Sequence, residues 1–144
     1  MQLRRRRIGL LVFDGVTALD LVGPSDAFTT ATLPAPNAGG APTAAYEVIT
    51  IGLTARRCVA ESGLVIHASH ALADVPPLDT LIVPGGSGLR RPAINRRAVT
   101  WITARARGTR RVAAVCTGIY GLAPRSSSMS DRDRSMPAVT PADV

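Results

Sequence analysis

A cysteine delivered by an apolar run into a turn of small residues is the strongest chemical signal in this chain. Residues 111–115 (Arg-Val-Ala-Ala-Val) read as a short buried strand, and Cys116-Thr117-Gly118 comes at once after it. A side chain on such an elbow projects above the strand end, beside the first amides of a following helix. Those amides, with the helix dipole, favour the anionic form of sulfur. This is the pattern of a nucleophile elbow built with a thiol. A second reading stands beside it, because free cysteine commonly packs as a small hydrophobe. The other cysteine, Cys58, lies in a stretch suited to a short strand and reads as packing. Two cysteines make no disulfide framework and fit a reducing, cytoplasmic compartment.

A thiol on an elbow needs other strand ends around it. Residues 7–13 are apolar on both faces, as a central parallel strand requires. Residues 14–17 make a turn, and 18–32 are expected to be helical. Pro24 then falls near a helical start, with Leu19, Leu21 and Val22 feeding the core. Residues 33–45, rich in Pro, Gly and Ala, read as a loop. Val48, Ile49 and Ile51 give residues 46–53 strand character. Residues 57–59 and 64–66 form two small strands around Gly63, and 70–73 a short turn before Asp74. The third principal strand, 79–83, ends in Pro84-Gly85-Gly86-Ser87-Gly88, where glycine permits close backbone approach. Residues 92–107 carry Ile94, Ala98, Trp101, Ile102 and Arg105 at helical spacing, with the apolar members on one stripe. Strands separated by helical connections predict an α/β fold with a doubly wound, mostly parallel, flavodoxin-like sheet. Ligands in such sheets sit beyond the carboxyl ends of the strands. Asp14, Gly85-Gly86 and Cys116 all fall at those ends.

Composition narrows the function classes. The chain has 144 residues, 46% of them hydrophobic, which suits one domain. All 17 basic residues are arginine and the net charge is +7. The arginines are scattered in pairs without an aromatic platform, which argues against direct DNA binding by this chain. No apolar stretch reaches bilayer length, so no membrane span is expected. The run Arg4 to Arg7 precedes an apolar segment that soon meets Asp14 and Gly15, and no Ala-x-Ala site comes after it. It reads as a solvated lead-in and not as a secretion signal. His67 and His70 have no third ligand at metal-like spacing, so neither a metal nor another cofactor is expected. Residues 1–6 form the lead and 7–123 the patterned domain. Residues 124–144 form a Ser/Pro/Arg tail without periodic apolar residues, expected to be disordered. The helix after Cys116 is then cut off after one or two turns, and the fold is expected to be incomplete at its carboxyl end.

Three segments carry a resemblance. They are residues 12–24 (Val-Phe-Asp-Gly-Val-Thr-Ala-Leu-Asp-Leu-Val-Gly-Pro), 81–86 (Leu-Ile-Val-Pro-Gly-Gly) and 114–118 (Ala-Val-Cys-Thr-Gly). In order and separation they resemble the DJ-1/PfpI superfamily, with the class I glutamine amidotransferase-like fold. The texture is similar to the amino-terminal sensory domains of AraC/GlxA-type transcriptional regulators. The Leu-Asp-Leu-x-Gly-Pro and Cys-Thr-Gly motifs are also similar to those of isocyanide hydratases. The resemblance implies that Cys116 is the reactive nucleophile or a redox-sensitive thiol. It implies that Asp20 faces the sulfur and holds or takes a proton there. Set among Leu19, Leu21 and Val22, a carboxylate at Asp20 needs a partner; a helix cap is the alternative. Gly85 and Gly86 would offer amides to an oxyanion or ligand, and Thr117 another amide or its hydroxyl. Alternatively, Pro-Gly-Gly is only a tight turn.

The relatives continue past the elbow with a Gly-Leu-Leu turn, a strand and a Thr-Thr-His-Trp motif, and the regulators with a helix-turn-helix module. None of these is found here, so the resemblance implies a sensory or ligand-binding domain without its DNA-binding module. A small-molecule ligand and a homodimer through this domain are the partners it implies. The alternative is a cysteine-dependent hydratase or hydrolase.

Overall fold

The computed structural model describes residues 5–35 and 40–122. The chain runs through β1 (Arg6–Val12), α1 (Ala18–Thr30), β2 (Thr32–Leu33), β3 (Thr43–Ala44), β4 (Tyr46–Gly52), β5 (Arg57–Val59), β6 (Val65–His67), β7 (His70–Ala71), β8 (Thr80–Val83), α2 (Pro92–Ala106) and β9 (Arg111–Ala114). Short 3-10 turns occupy Leu72–Asp74, Ser87–Arg90 and Cys116–Gly121. Five strands make the central sheet in the order β7-β4-β1-β8-β9, and every pairing in it is parallel. From β1 the chain steps outward to β4, then returns to the other side of β1 to place β8. The strand order therefore reverses at β1, and the crevice between the carboxyl ends of β1 and β8 is the switch point of the sheet. The connection through α1 steps one way across the sheet and the connection through α2 the other. Right-handed crossovers in opposite directions cover opposite faces.

Central position explains the composition of β1, whose residues Ile8, Leu10, Leu11 and Val12 are all buried. In α2, Pro92 stands in the first turn, where its missing N–H is no loss. Ile94, Ala98 and Ile102 face inward at four-residue intervals. Burying each isoleucine contributes roughly 2 kcal/mol. Trp101 lies half-buried under the Arg105 guanidinium, 5.6 Å from its ring centroid.

Several local expectations need correction. Pro24 lies inside α1, not near its start. Leu19 and Val22 are 76% and 44% exposed, and Leu21 alone in this helix is buried. With the helix starting at Ala18, the inward stripe is Ala18, Leu21 and Phe28, and Leu19 and Val22 rotate outward. Phe28 meets Tyr46 of β4 edge to face, with centroids 5.0 Å apart. The stretch read as a loop contributes the antiparallel pair β2–β3. The stretch read as a turn at His70 contributes β7, which pairs with Ile51 and Gly52 at the sheet edge. The lead-in joins the sheet earlier than expected, because β1 starts at Arg6 and Arg7 is paired with Glu47 at 2.8 Å. The expected tail, 124–144, lies outside the described residues.

Candidate functional site

Cys116 sits where β9 gives way to a turn. The Val115 amide donates to the Val83 carbonyl at 2.9 Å, extending the β8–β9 pairing to the residue before the cysteine. The backbone then breaks: Cys116 has φ +53°, and no other non-glycine residue among those described has a positive φ. That conformation costs an L-residue roughly 1–2 kcal/mol. The side chain is left exposed at the sheet end. The next element is a 3-10 turn, not the α-helix that the sequence predicts. The Gly118 amide closes that turn on Val115 O at 2.9 Å. A Cβ on Gly118 would stand 2.0 Å from the Val83 carbonyl oxygen, so only glycine fits there.

Across from the elbow, the loop after β8 is clamped by the first turn of α1. The Thr17 amide donates to Gly85 O at 2.9 Å, and the Gly85 amide donates to Asp20 Oδ2 at 3.1 Å. The next amide, that of Gly86, donates to Thr117 Oγ1 at 3.1 Å. A Cβ on Gly85 would lie 2.8 Å from Asp20 Oδ2 and 2.9 Å from Thr117 N. Asp20, Gly85, Gly86 and Thr117 therefore meet at one place, beside the backbone of Cys116. Asp20 does not cap its own helix: Thr17 holds the N-cap position, and the Asp20 carboxylate reaches across to the β8 loop. Both glycine amides are engaged within the protein.

The remaining chemically capable residues stand elsewhere. Asp14 Oδ1 accepts from Val59 N at 2.8 Å and fastens the β5–β6 hairpin to the end of β1. Cys58 is fully buried, and its thiol donates to Ala55 O at 3.2 Å. Burial, and then the Asp14 charge, push this thiol up from its ordinary range. His67 is exposed, and His70 Nδ1 lies 2.9 Å from Ser69 Oγ. Among the described residues, no group of three or more His, Cys, Asp or Glu side chains is placed to hold a metal ion. Among them, too, no helix is long and apolar enough to cross a membrane.

Two supporting residues stand outside the set that the sequence singles out. Glu61, after the β5 strand, accepts from Ser87 N at 2.6 Å and from Thr17 Oγ1 at 3.1 Å. The Ser87 amide and hydroxyl, then the Thr17 hydroxyl, hold its carboxyl below the usual range. Glu61 thus ties the hairpin to both segments that bracket Gly85. Asn95 is buried, and its Nδ2 donates to Tyr120 O at 2.7 Å, fastening the cysteine turn to α2. Asn95 had a legible signal, an amide side chain beside Ile94 on a helix with a buried stripe. Glu61 had none, since an acidic residue in a hairpin turn is ordinary.

The sequence profile of the DJ-1/PfpI family matches residues 6–142. The chain belongs to the DJ-1/PfpI family. Solved DJ-1/PfpI structures share its fold. A thiJ/pfpI protein of Bacillus anthracis superposes with TM-score 0.65 at 21% identity, covering 85% of this chain and 56% of its own. A family member from Pseudomonas syringae superposes with TM-score 0.60 at 20% identity, over 81% of this chain and 44% of its own. Among curated proteins, the chain is 40% identical over 78 residues to the HTH-type transcriptional regulator GbdR of Pseudomonas aeruginosa, covering 54% of this chain and 21% of that regulator. It is 30% identical over 112 residues to the isonitrile hydratase of Pseudomonas putida, covering 78% of this chain and 44% of the hydratase. The chain thus spans less than half the length of either relative.

Proposed function

We propose that this DJ-1/PfpI domain is a small-molecule sensor of the kind carried by transcriptional regulators, with Cys116 as its reactive thiol and Asp20 as the facing carboxylate. The observation that carries this is the engagement of both glycine amides. Catalysis through a developing oxyanion needs donors aimed at the reacting atom. Here Gly85 N is spent on Asp20 and Gly86 N on Thr117. That arrangement suits a resting binding site, in which a ligand competes with Asp20 or Thr117 for the amides and so moves α1 or the cysteine turn. The 40% identity to a regulator over 78 residues supports the same reading. Association of two copies belongs to it as well, since α1 leaves Leu19 and Val22 exposed; sedimentation of a strictly monomeric species would remove that part.

The exposed elbow thiol and the 30% identity to an isonitrile hydratase favour a second reading. The sulfur would add to the isocyanide carbon as Asp20 supplies the proton, and water would then release the thiol and a formamide. One experiment separates the two. The full chain is incubated with cyclohexyl isocyanide, and formamide is measured beside iodoacetamide labelling of Cys116. The sensor reading expects a labelled thiol and no formamide above the protein-free rate. Steady formamide formation that Cys116→Ala abolishes would replace it with the hydratase.

A further inference from the structure

At the switch point between β1 and β8 the protein holds an open cavity of about 610 Å³, whose walls include Asp14, Gly15, Arg57, Glu61, Ser87 and Arg91. Strand ends diverge at such a point, which is why doubly wound sheets place ligands there. The charges on its walls are not equivalent. Asp14 Oδ1 is already bonded to Val59 N, and the two oxygens of Glu61 to Ser87 N and Thr17 Oγ1. One oxygen of Asp14 and both of Glu61 are thus held by protein donors, although both groups keep their negative charge. Arg57 comes from β5 and Arg91 from the residue before α2, and both are exposed. Neither guanidinium has a hydrogen-bond or ion-pair partner among the described residues.

We infer that Arg57 and Arg91 form an oxyanion subsite, which takes a small molecule bearing a carboxylate or phosphate group. The planar guanidinium fork matches both anions with two parallel N–H donors. The subsite is wired to the cysteine site through Thr17, whose hydroxyl donates to Glu61 and whose amide donates to Gly85 O. Glu61 and Ser87, which line the same cavity as Arg57 and Arg91, are the residues through which an anion held there would meet that network. The inference rests on the ligand-binding reading above but asks no reactivity of Cys116.

Calorimetric titration of the full chain at fixed ionic strength tests it, with malonate, inorganic phosphate and uncharged malonamide as probes. Saturable binding of malonate or phosphate, and none of malonamide, is expected. Malonate alone would assign a carboxylate ligand and phosphate alone a phosphorylated one. Arg57→Gln with Arg91→Gln should weaken binding roughly tenfold or more. Arg107→Gln with Arg111→Gln removes the same charge elsewhere and should change it less than about twofold. Equal losses in the two double variants, an unaffected Arg57/Arg91 variant, or no binding of either anion would overturn the subsite. Cys116→Ser should retain anion binding. Anion binding without iodoacetamide labelling of Cys116 would sink the sensor reading alone, and labelling without anion binding the subsite alone.

Discussion

Cys58 and Cys116 are each carried by a short strand or its end, yet the fold treats them oppositely. Cys58 lies within β5, paired across the hairpin with Ile66, and is fully buried. Its thiol is bonded to a carbonyl, and burial disfavours its charged form. Cys116 stands two residues beyond the end of β9, in a left-handed conformation, with its side chain exposed. The difference arises from the residues on the carboxyl side of each cysteine. After Cys58 the hairpin continues in register, so the alternation of the strand keeps the thiol inside. After Cys116 comes Gly118, pressed against the Val83 carbonyl, and the chain must turn away from the sheet. A strand hides a thiol; an elbow closed by a glycine presents it.

The largest effect should come from breaking the elbow. Gly118→Ala drives a methyl into the Val83 carbonyl and should cost about 3 kcal/mol or more, read by urea unfolding. A loss below about 1 kcal/mol would mean that the turn relaxes freely. Next comes an exchange of chemistry at the two thiols. Cys58→Ser places a hydroxyl in an apolar hairpin and should cost about 1–2 kcal/mol, whereas Cys116→Ser should leave the unfolding midpoint unchanged. Similar losses at both positions would erase the contrast. Smaller still, Cys116→Gly should stabilise the chain by about 1 kcal/mol while removing the thiol, because glycine adopts φ +53° without strain.

The smallest effect lies at the opposite end of the sheet. Asp79 binds Arg110 through both oxygens, at 2.7 and 2.8 Å. The Arg110 guanidinium holds its carboxyl at about 2, from an ordinary value of 3.8. A carboxyl lowered by folding stabilises the protein fully above 3.8 and loses that contribution as the pH falls toward 2. The Arg110 side chain is 43% exposed, so solvent screening keeps the contribution small. Asp79→Asn should flatten the pH dependence of stability in that window and leave Cys116 labelling untouched. A change in labelling would couple the two ends of the sheet.

Much of the framework was legible because the main strands are runs of branched apolar residues and α2 carries Ile94, Ala98 and Ile102 on one stripe. The elbow was legible for a related reason: a strand that meets Cys-Thr-Gly has nowhere to go but a turn. What the pattern hid was rotational phase. Leu19, Leu21 and Val22 look equally fit for the core, and only the start of α1 at Ala18 decides that Leu21 alone goes inside. The partner of Asp20 was hidden as well, since a backbone amide sixty-five residues away has no side-chain signature. Glu61 acts through Ser87 N and Thr17 Oγ1, a contact made only after the hairpin folds back over the ends of β1 and β8.

The central claim, that Cys116 and Asp20 share one site, is tested most directly by iodoacetamide labelling of the native chain, with peptides resolved by mass spectrometry. Cys116 should label well ahead of Cys58, and Asp20→Asn should shift the Cys116 rate severalfold. Asp14→Asn, at the other strand end, should leave that rate as it was. Preferential labelling of Cys58, or a Cys116 rate indifferent to Asp20, would contradict the account.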